Sequence, residues 1–240
     1  MAAVMIAVVD SLRDLPSGVR QYDVRRRTYL RTERTSMLDK YTREGFTRLL
    51  SPIARGLLRI GLTPDAVTLI GTLGVCVGAL VFYPDGRFLA GTLFITAFVF
   101  ADNLDGTMAR LSGRQSQWGA FLDSVLDRFG DAAIYAGIGL YFAGPGDNVR
   151  VVGAAVACLT LGAVVSYVRA KAESLGWSAA GGFAERAERL IVVLVVTGLV
   201  GLLDLPLVVI EVMLWVLAAA SVQTIVVRIV EVRRQVSAES

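Results

Sequence analysis

Six apolar runs, each near twenty residues, govern what this chain can become: about 65–82, 88–110, 118–142, 149–172, 183–203 and 207–230. A helix needs about 20 apolar residues to cross the hydrocarbon core of a bilayer. Inside that core a helix satisfies all of its own backbone polar groups. The runs therefore predict an all-α integral membrane protein with six transmembrane helices. Composition agrees: 55% of the 240 residues are hydrophobic and mean hydropathy is +0.60, too apolar for a soluble domain. Turn signals separate the runs at Pro84-Asp-Gly-Arg87, at Gly144-Pro-Gly-Asp147 and at Asp204-Leu-Pro206. Residues 63–235 form the expected membrane domain, and 236–240 a polar tail.

The stretch before this domain divides in two. Residues 37–62 read as an amphipathic juxtamembrane helix. Leu38, Tyr41, Leu49, Ile53 and Leu57 follow helical spacing, and Arg43, Arg48, Arg55 and Arg59 supply charge suited to an anionic leaflet. Thr63 and Pro64 are the expected N-cap and first residue of the helix that follows. Residues 1–36 read as an N-terminal extension or a fusion segment, since Met37 can serve as a start. Lys and Arg concentrate at one end of the runs, at Arg110, Arg169, Lys171, Arg186, Arg189 and Arg228, against Arg87 and Arg150 at the other. That asymmetry predicts a multi-pass protein of the cell membrane with both termini cytoplasmic.

Within these apolar runs lie four carboxylates. Asp102 and Asp105 are three residues apart, and Asp123 and Asp127 four apart, so each pair shares a helix face. Acids at membrane depth are costly and face a bundle interior or a wet cavity. Four converging carboxylates cannot all stay ionised without cations, which points to a divalent metal site for two ions. The chain has no histidine, and its two cysteines, Cys76 and Cys158, sit apart in apolar runs. The expected ligands are therefore carboxylates, which suit hard ions such as Mg²⁺ or Mn²⁺. A cation pathway would use the same residue types, so a divalent-cation transporter stands as the rival reading.

The spacing carries more. Asp102, Asp105, Gly106, Ala109, Arg110, Gly119, Asp123 and Asp127 fit D-x2-D-G-x2-A-R-x8-G-x3-D-x3-D without a departure. In this the chain resembles the CDP-alcohol phosphotransferase family. The resemblance implies an enzyme in which an acceptor hydroxyl attacks the β-phosphorus of a CDP-linked donor and CMP leaves. It implies that Asp102, Asp105, Asp123 and Asp127 hold two Mg²⁺ or Mn²⁺ ions and that Asp127 is also the general base. Gly106 would let the backbone approach the nucleotide, Ala109 would keep that face low, and Arg110 would fork onto phosphate. Gly119 reads as a close approach of the third run to the second or as small-residue packing. By the same resemblance Asp65 and Thr68 would contact the cytidine; read by position alone they are equally well helix caps. Asp131 continues the Asp123/Asp127 face and is expected to be a structural partner of Arg128.

For the acceptor, Ser166, Arg169 and Lys171 end the fourth run, and Arg186 and Arg189 open the fifth. Arginines at these ends follow from membrane topology alone, yet they also suit bidentate phosphate binding. Pro52 to Asp65, Ser166 to Glu173 and Glu185 to Leu190 resemble segments of the actinobacterial phosphatidylinositol phosphate synthases. That resemblance implies CDP-diacylglycerol as donor, inositol 1-phosphate as acceptor, a homodimer among membrane lipids, and no nucleic-acid partner. Phosphatidylglycerophosphate synthesis, with glycerol 3-phosphate as acceptor, shares the aspartate signature.

Overall fold

A computed structural model describes residues 51–239, apart from Arg114, Gln115 and Phe183 and from the side chains of Ala101, Asp102, Asn103 and Glu239. The N-terminal extension and the first part of the expected juxtamembrane helix, 37–50, lie outside the described residues. All regular structure among the described residues is helical: α1 (51–59), α2 (Pro64–Phe82), α3 (Phe88–Ser112), α4 (Gln117–Ala143), α5 (Val149–Ser174), α6 (Arg186–Leu203) and α7 (Val208–Glu239).

Local chemistry sets several of these boundaries. Thr63 Oγ1 accepts the Ala66 amide at 3.2 Å, and Pro64 opens α2 where its missing N–H costs nothing. Gly113 ends α3 in the left-handed region, at φ +66°. Ser116 caps α4 by accepting the Gly119 amide at 2.9 Å, and Asn148 caps α5 by accepting the Arg150 amide at 3.1 Å. After Pro206 no glycine or proline interrupts the chain, and α7 runs on through the expected polar tail to Glu239.

The six-span expectation is corrected. By length and composition, four helices among the described residues can cross a membrane: α2, α3, α5 and α7. The physical reason lies in the charges that helices α4 and α6 carry. Helix α4 holds Asp123, Asp127, Arg128 and Asp131, and the 18 residues of α6 include Arg186, Glu188 and Arg189. A charge at bilayer depth costs about 2.5–3.5 kcal/mol or more, so a count of apolar runs overstated the spans. The juxtamembrane helix is not a distinct interfacial element either, in its described part. Ala54 of α1 is fully buried in a cluster with Val67 of α2 and Met108 of α3, and Leu57 and Leu58 pack against it.

Helix α2 packs on α3 and α4, α5 on α4 and α7, and α6 on α3 and α7. One end of this bundle is an aromatic knot, with Phe88 against Tyr83 and Tyr141 at 5.9 and 4.9 Å between ring centroids. Beside it the buried hydroxyls of Tyr83, Thr92 and Thr197 bond one another, Tyr83 to Thr92 at 3.0 Å, and join α3 to α6. In lipid, apolar burial adds little drive for helix association, so close approach and such bonds decide. Gly137 of α4 shows this: a Cβ there would run into the Ala79 carbonyl of α2. Gly137→Ala is expected to lower the midpoint of thermal unfolding in detergent, at a cost of about 1–3 kcal/mol from overpacking. An unchanged midpoint would mean that α2 and α4 leave room for a methyl group at Gly137. The opposite end of the bundle holds the signature acids and most of the arginines.

Candidate active site

Two groups of side chains meet at the charged end. The first forms where α2 begins, α3 ends and α4 begins. Thr68, 5% exposed, donates to Asp105 and also to the Pro64 carbonyl at 3.1 Å. The Asp105 carboxylate also accepts the Gly106 amide. Gly119 lies against Asp65: a Cβ at Gly119 would stand 3.6 Å from Asp65 Oδ1. The close approach of Gly119 is thus toward the start of α2. Around Gly106 there is open space, since a Cβ there would meet nothing within 4 Å. Ala109 is half-buried beside it, and the exposed Arg110 donates to Thr107 Oγ1 at 3.3 Å. Asp65, Thr68, Asp105, Gly106 and Gly119 therefore border one region that three helix ends build.

The second group forms between α4, α5 and α6. Arg186 Nη1 reaches Asp127 Oδ1 at 2.8 Å, and its Nε reaches Asp131 Oδ1 at 3.2 Å. Asp131 also faces Arg128 at 3.9 Å and Arg189 at 3.8 Å, so three guanidinium groups surround one carboxylate. The expected Arg128 contact is there, as one of three. Arg128 in turn donates to Ser166 of α5, whose hydroxyl donates to the Gly162 carbonyl at 3.2 Å. Arg189 is 3% exposed and donates to the Ala184 carbonyl at 2.7 Å. With Asp131 and Tyr135 it borders a cavity of about 10 Å³, room for about one water. Arg169 lies outside this core, paired with Glu173 at 2.9 Å and Glu185 at 3.8 Å, and Lys171 is exposed nearby.

One participant was not singled out by its sequence context. Arg228 of α7 is 2% exposed and donates to the carbonyls of Val165 and Gly181 and to Glu185, at 2.8, 3.0 and 3.3 Å. It also feels the charges of Arg169 and Arg189. In the sequence it resembles any arginine at the end of a membrane helix. Its burial and full set of bonds are what mark it.

The four signature acids are only partly drawn together. The side chain of Asp102 lies outside the described residues. Among the described residues no group of three or more His, Cys, Asp and Glu could hold a metal ion. Asp123 lies one turn before Asp127 on α4 and shares its face, while Asp127 is engaged by Arg186. The donor chemistry nonetheless fits a hard cation. Carboxylates stand at the adjoining ends of α3 and α4, and both cysteines are turned to carbonyls elsewhere, Cys158 Sγ at 3.0 Å from the Leu214 oxygen.

Residues 61–226 match the family of CDP-alcohol phosphatidyltransferases. The chain belongs to this family. It is an enzyme of the CDP-alcohol phosphotransferase type, a membership that sets aside the cation-transporter reading. Its curated relatives include the phosphatidylinositol phosphate synthase of Streptomyces avermitilis, 50% identical over 210 residues, covering 85% of this chain and 86% of that protein. The Cutibacterium acnes synthase of the same name is 50% identical over 204 residues, covering 82% of this chain and 98% of that protein. Two crystal structures of the Mycobacterium tuberculosis phosphatidylinositol phosphate synthase align at TM-score 0.72 and 43% identity. The one with CDP-DAG bound covers 77% of this chain and 94% of that one. The one in complex with manganese and citrate covers 76% and 88%.

Proposed function

We infer that this family member is a phosphatidylinositol phosphate synthase, moving the phosphatidyl group of CDP-diacylglycerol to inositol 1-phosphate with release of CMP. The observation that carries the reading is the 2.8 Å pairing of Asp127 with Arg186. It sets the acid proposed as base beside the arginines proposed to grip a phosphorylated acceptor. The synthases of S. avermitilis and C. acnes support the same product by their names, at 50% identity over 86% and 98% of their lengths.

In this reading Asp102, Asp105, Asp123 and Asp127 hold Mg²⁺ or Mn²⁺, two ions per site. The manganese complex of the M. tuberculosis relative supports the metal requirement. Bound ions would neutralise the pyrophosphate and stabilise the attacking and leaving oxygens. The chain's own residues do the rest. The open space at Gly106 admits the nucleotide, with Asp65, Thr68, Ala109 and Gly119 shaping its berth and Arg110 taking phosphate oxygens. Ser166, Arg169, Lys171, Arg186 and Arg189 hold the acceptor phosphate and leave a ring hydroxyl facing Asp127, and Arg228 braces the segment that leads into α6. Asp127 takes the hydroxyl proton as the new P–O bond forms and the bond to CMP breaks. Arg186 links the two halves, because it touches the base and belongs to the acceptor grip. The basic end supports a reading in which the site and both termini face the cytoplasm, and in this reading the enzyme works as a homodimer.

The test uses the purified enzyme with CDP-diacylglycerol and, in parallel, inositol 1-phosphate, free inositol and glycerol 3-phosphate. Product from inositol 1-phosphate is expected. Product from glycerol 3-phosphate alone would assign phosphatidylglycerophosphate synthesis instead, and product from free inositol alone would reject the phosphate grip. Arg189→Gln should raise the KM for inositol 1-phosphate by about 10- to 100-fold, the worth of one charged hydrogen bond. The KM for CDP-diacylglycerol should stay within about twofold, because the acceptor loses the bond.

A further inference from the structure

The segment between α5 and α6 is irregular, yet one face of α7 fastens it. The Ser178 amide donates to Gln235 Oε1 at 2.9 Å, and Gln235 Nε2 donates back to the Ser178 carbonyl at 2.6 Å. The Gly181 amide donates to Glu231 Oε2 at 3.1 Å, and Arg228 Nε donates to the Gly181 carbonyl at 3.0 Å. The Ala184 amide donates to Thr224 Oγ1 at 3.1 Å. Residues 224, 228, 231 and 235 are spaced by four, three and four, so all four side chains leave one face of α7. Gly182 has φ +120°, and a Cβ there would run into Thr224, so the backbone lies flat on the helix only because this residue is glycine. Backbone polar groups at the edge of a membrane must be paired, and here side chains rather than a helix ladder pair them.

What this strap leads into gives it a purpose. The carbonyl of Ala184, its last anchored residue, accepts from Arg189. Glu185 then caps α6 and accepts from Arg228. Arg186 follows and reaches Asp127. The strap therefore decides where α6 starts and how its arginines stand over the acid. We propose that Glu231 and Gln235 are positioning residues for the acceptor, acting through the strap to set Arg186 and Arg189 without touching substrate. This rests on the acceptor site proposed above.

The conservative pair Glu231→Gln and Glu231→Ala separates the bond from the charge. Gln keeps an oxygen for the Gly181 amide and removes the charge beside Arg228; Ala removes both. Glu231→Ala and Gln235→Ala should each raise the KM for inositol 1-phosphate by about 3- to 10-fold, the scale of one or two hydrogen bonds. The KM for CDP-diacylglycerol should stay within about twofold, and Glu231→Gln should behave as wild type, since the donor site and the Gly181 bond are untouched. Hydrogen–deuterium exchange of the intact enzyme in detergent should quicken across 178–184 in both alanine variants and not in the α2–α4 helices. Faster exchange with an unchanged acceptor KM would overturn the positioning role. Unchanged exchange in both alanine variants would overturn the strap itself, and so would equal loss in Glu231→Gln and Glu231→Ala, which would assign the effect to charge. If wild-type enzyme uses glycerol 3-phosphate and not inositol 1-phosphate, the acceptor reading fails, and the strap is judged on the KM for glycerol 3-phosphate.

Discussion

Asp127→Asn is expected to lower kcat by about two to four orders of magnitude, the range for losing a general base, while much of the CDP-diacylglycerol binding survives. The amide keeps the shape of the carboxylate and can still accept from Arg186, which sits 2.8 Å from Asp127 Oδ1. It cannot take a proton from the acceptor hydroxyl. The bond from Thr68 to Asp105, on the other side of the site, is undisturbed, so the donor end keeps its build. Asp105→Asn should behave differently and damage donor binding and turnover together. Steady-state kinetics paired with equilibrium binding of CDP-diacylglycerol separates the roles. Near-normal turnover in Asp127→Asn would remove it as base. A loss of donor binding equal to that of Asp105→Asn would make it chiefly a ligand.

How far the sequence could be read follows from which properties are local. Spacing along one helix is local, so the shared face of Asp123 and Asp127 on α4 was legible; the approach of α3 to α4 that would gather the acids is not local, and among the described residues no group of three acids forms. The Thr63–Pro64 start of α2 was legible because a cap concerns neighbouring residues. Span number was not legible in the same way. Apolar runs average over the acids of α4 and the three charges at the start of α6, and bilayer depth penalises each charge individually. Pairings between distant residues left no local trace. The bond of Arg186 to Asp127 joins positions 59 residues apart on two helices. Arg228 looked topological, and the strap residues carried no signal, because neither has a period that a single sequence can display.

Removal of divalent metal is expected to abolish activity, and Mg²⁺ or Mn²⁺ to restore it. The chain offers no histidine, and both cysteines lie in apolar runs, so the candidate donors at the site are carboxylate oxygens suited to hard ions. Turnover in excess EDTA equal to that without chelator would end the metal reading. A readout apart from activity is the number of Mn²⁺ ions bound per chain by titration calorimetry: two supports a pair of ions, and one reduces the site to a single ion. Asp105→Asn should weaken that binding, because a hard cation loses an anionic ligand. Arg189→Gln should leave it alone, because the Arg189 guanidinium bonds the Ala184 carbonyl and faces Asp131 rather than the signature acids. Arg186→Gln is the most telling of the three. Arg186 and a metal ion are rival cations for Asp127, so removing the guanidinium should keep or tighten Mn²⁺ binding while raising the KM for the acceptor. Weaker Mn²⁺ binding in Arg186→Gln would show that Arg186 organises Asp127 for the metal instead of competing with it.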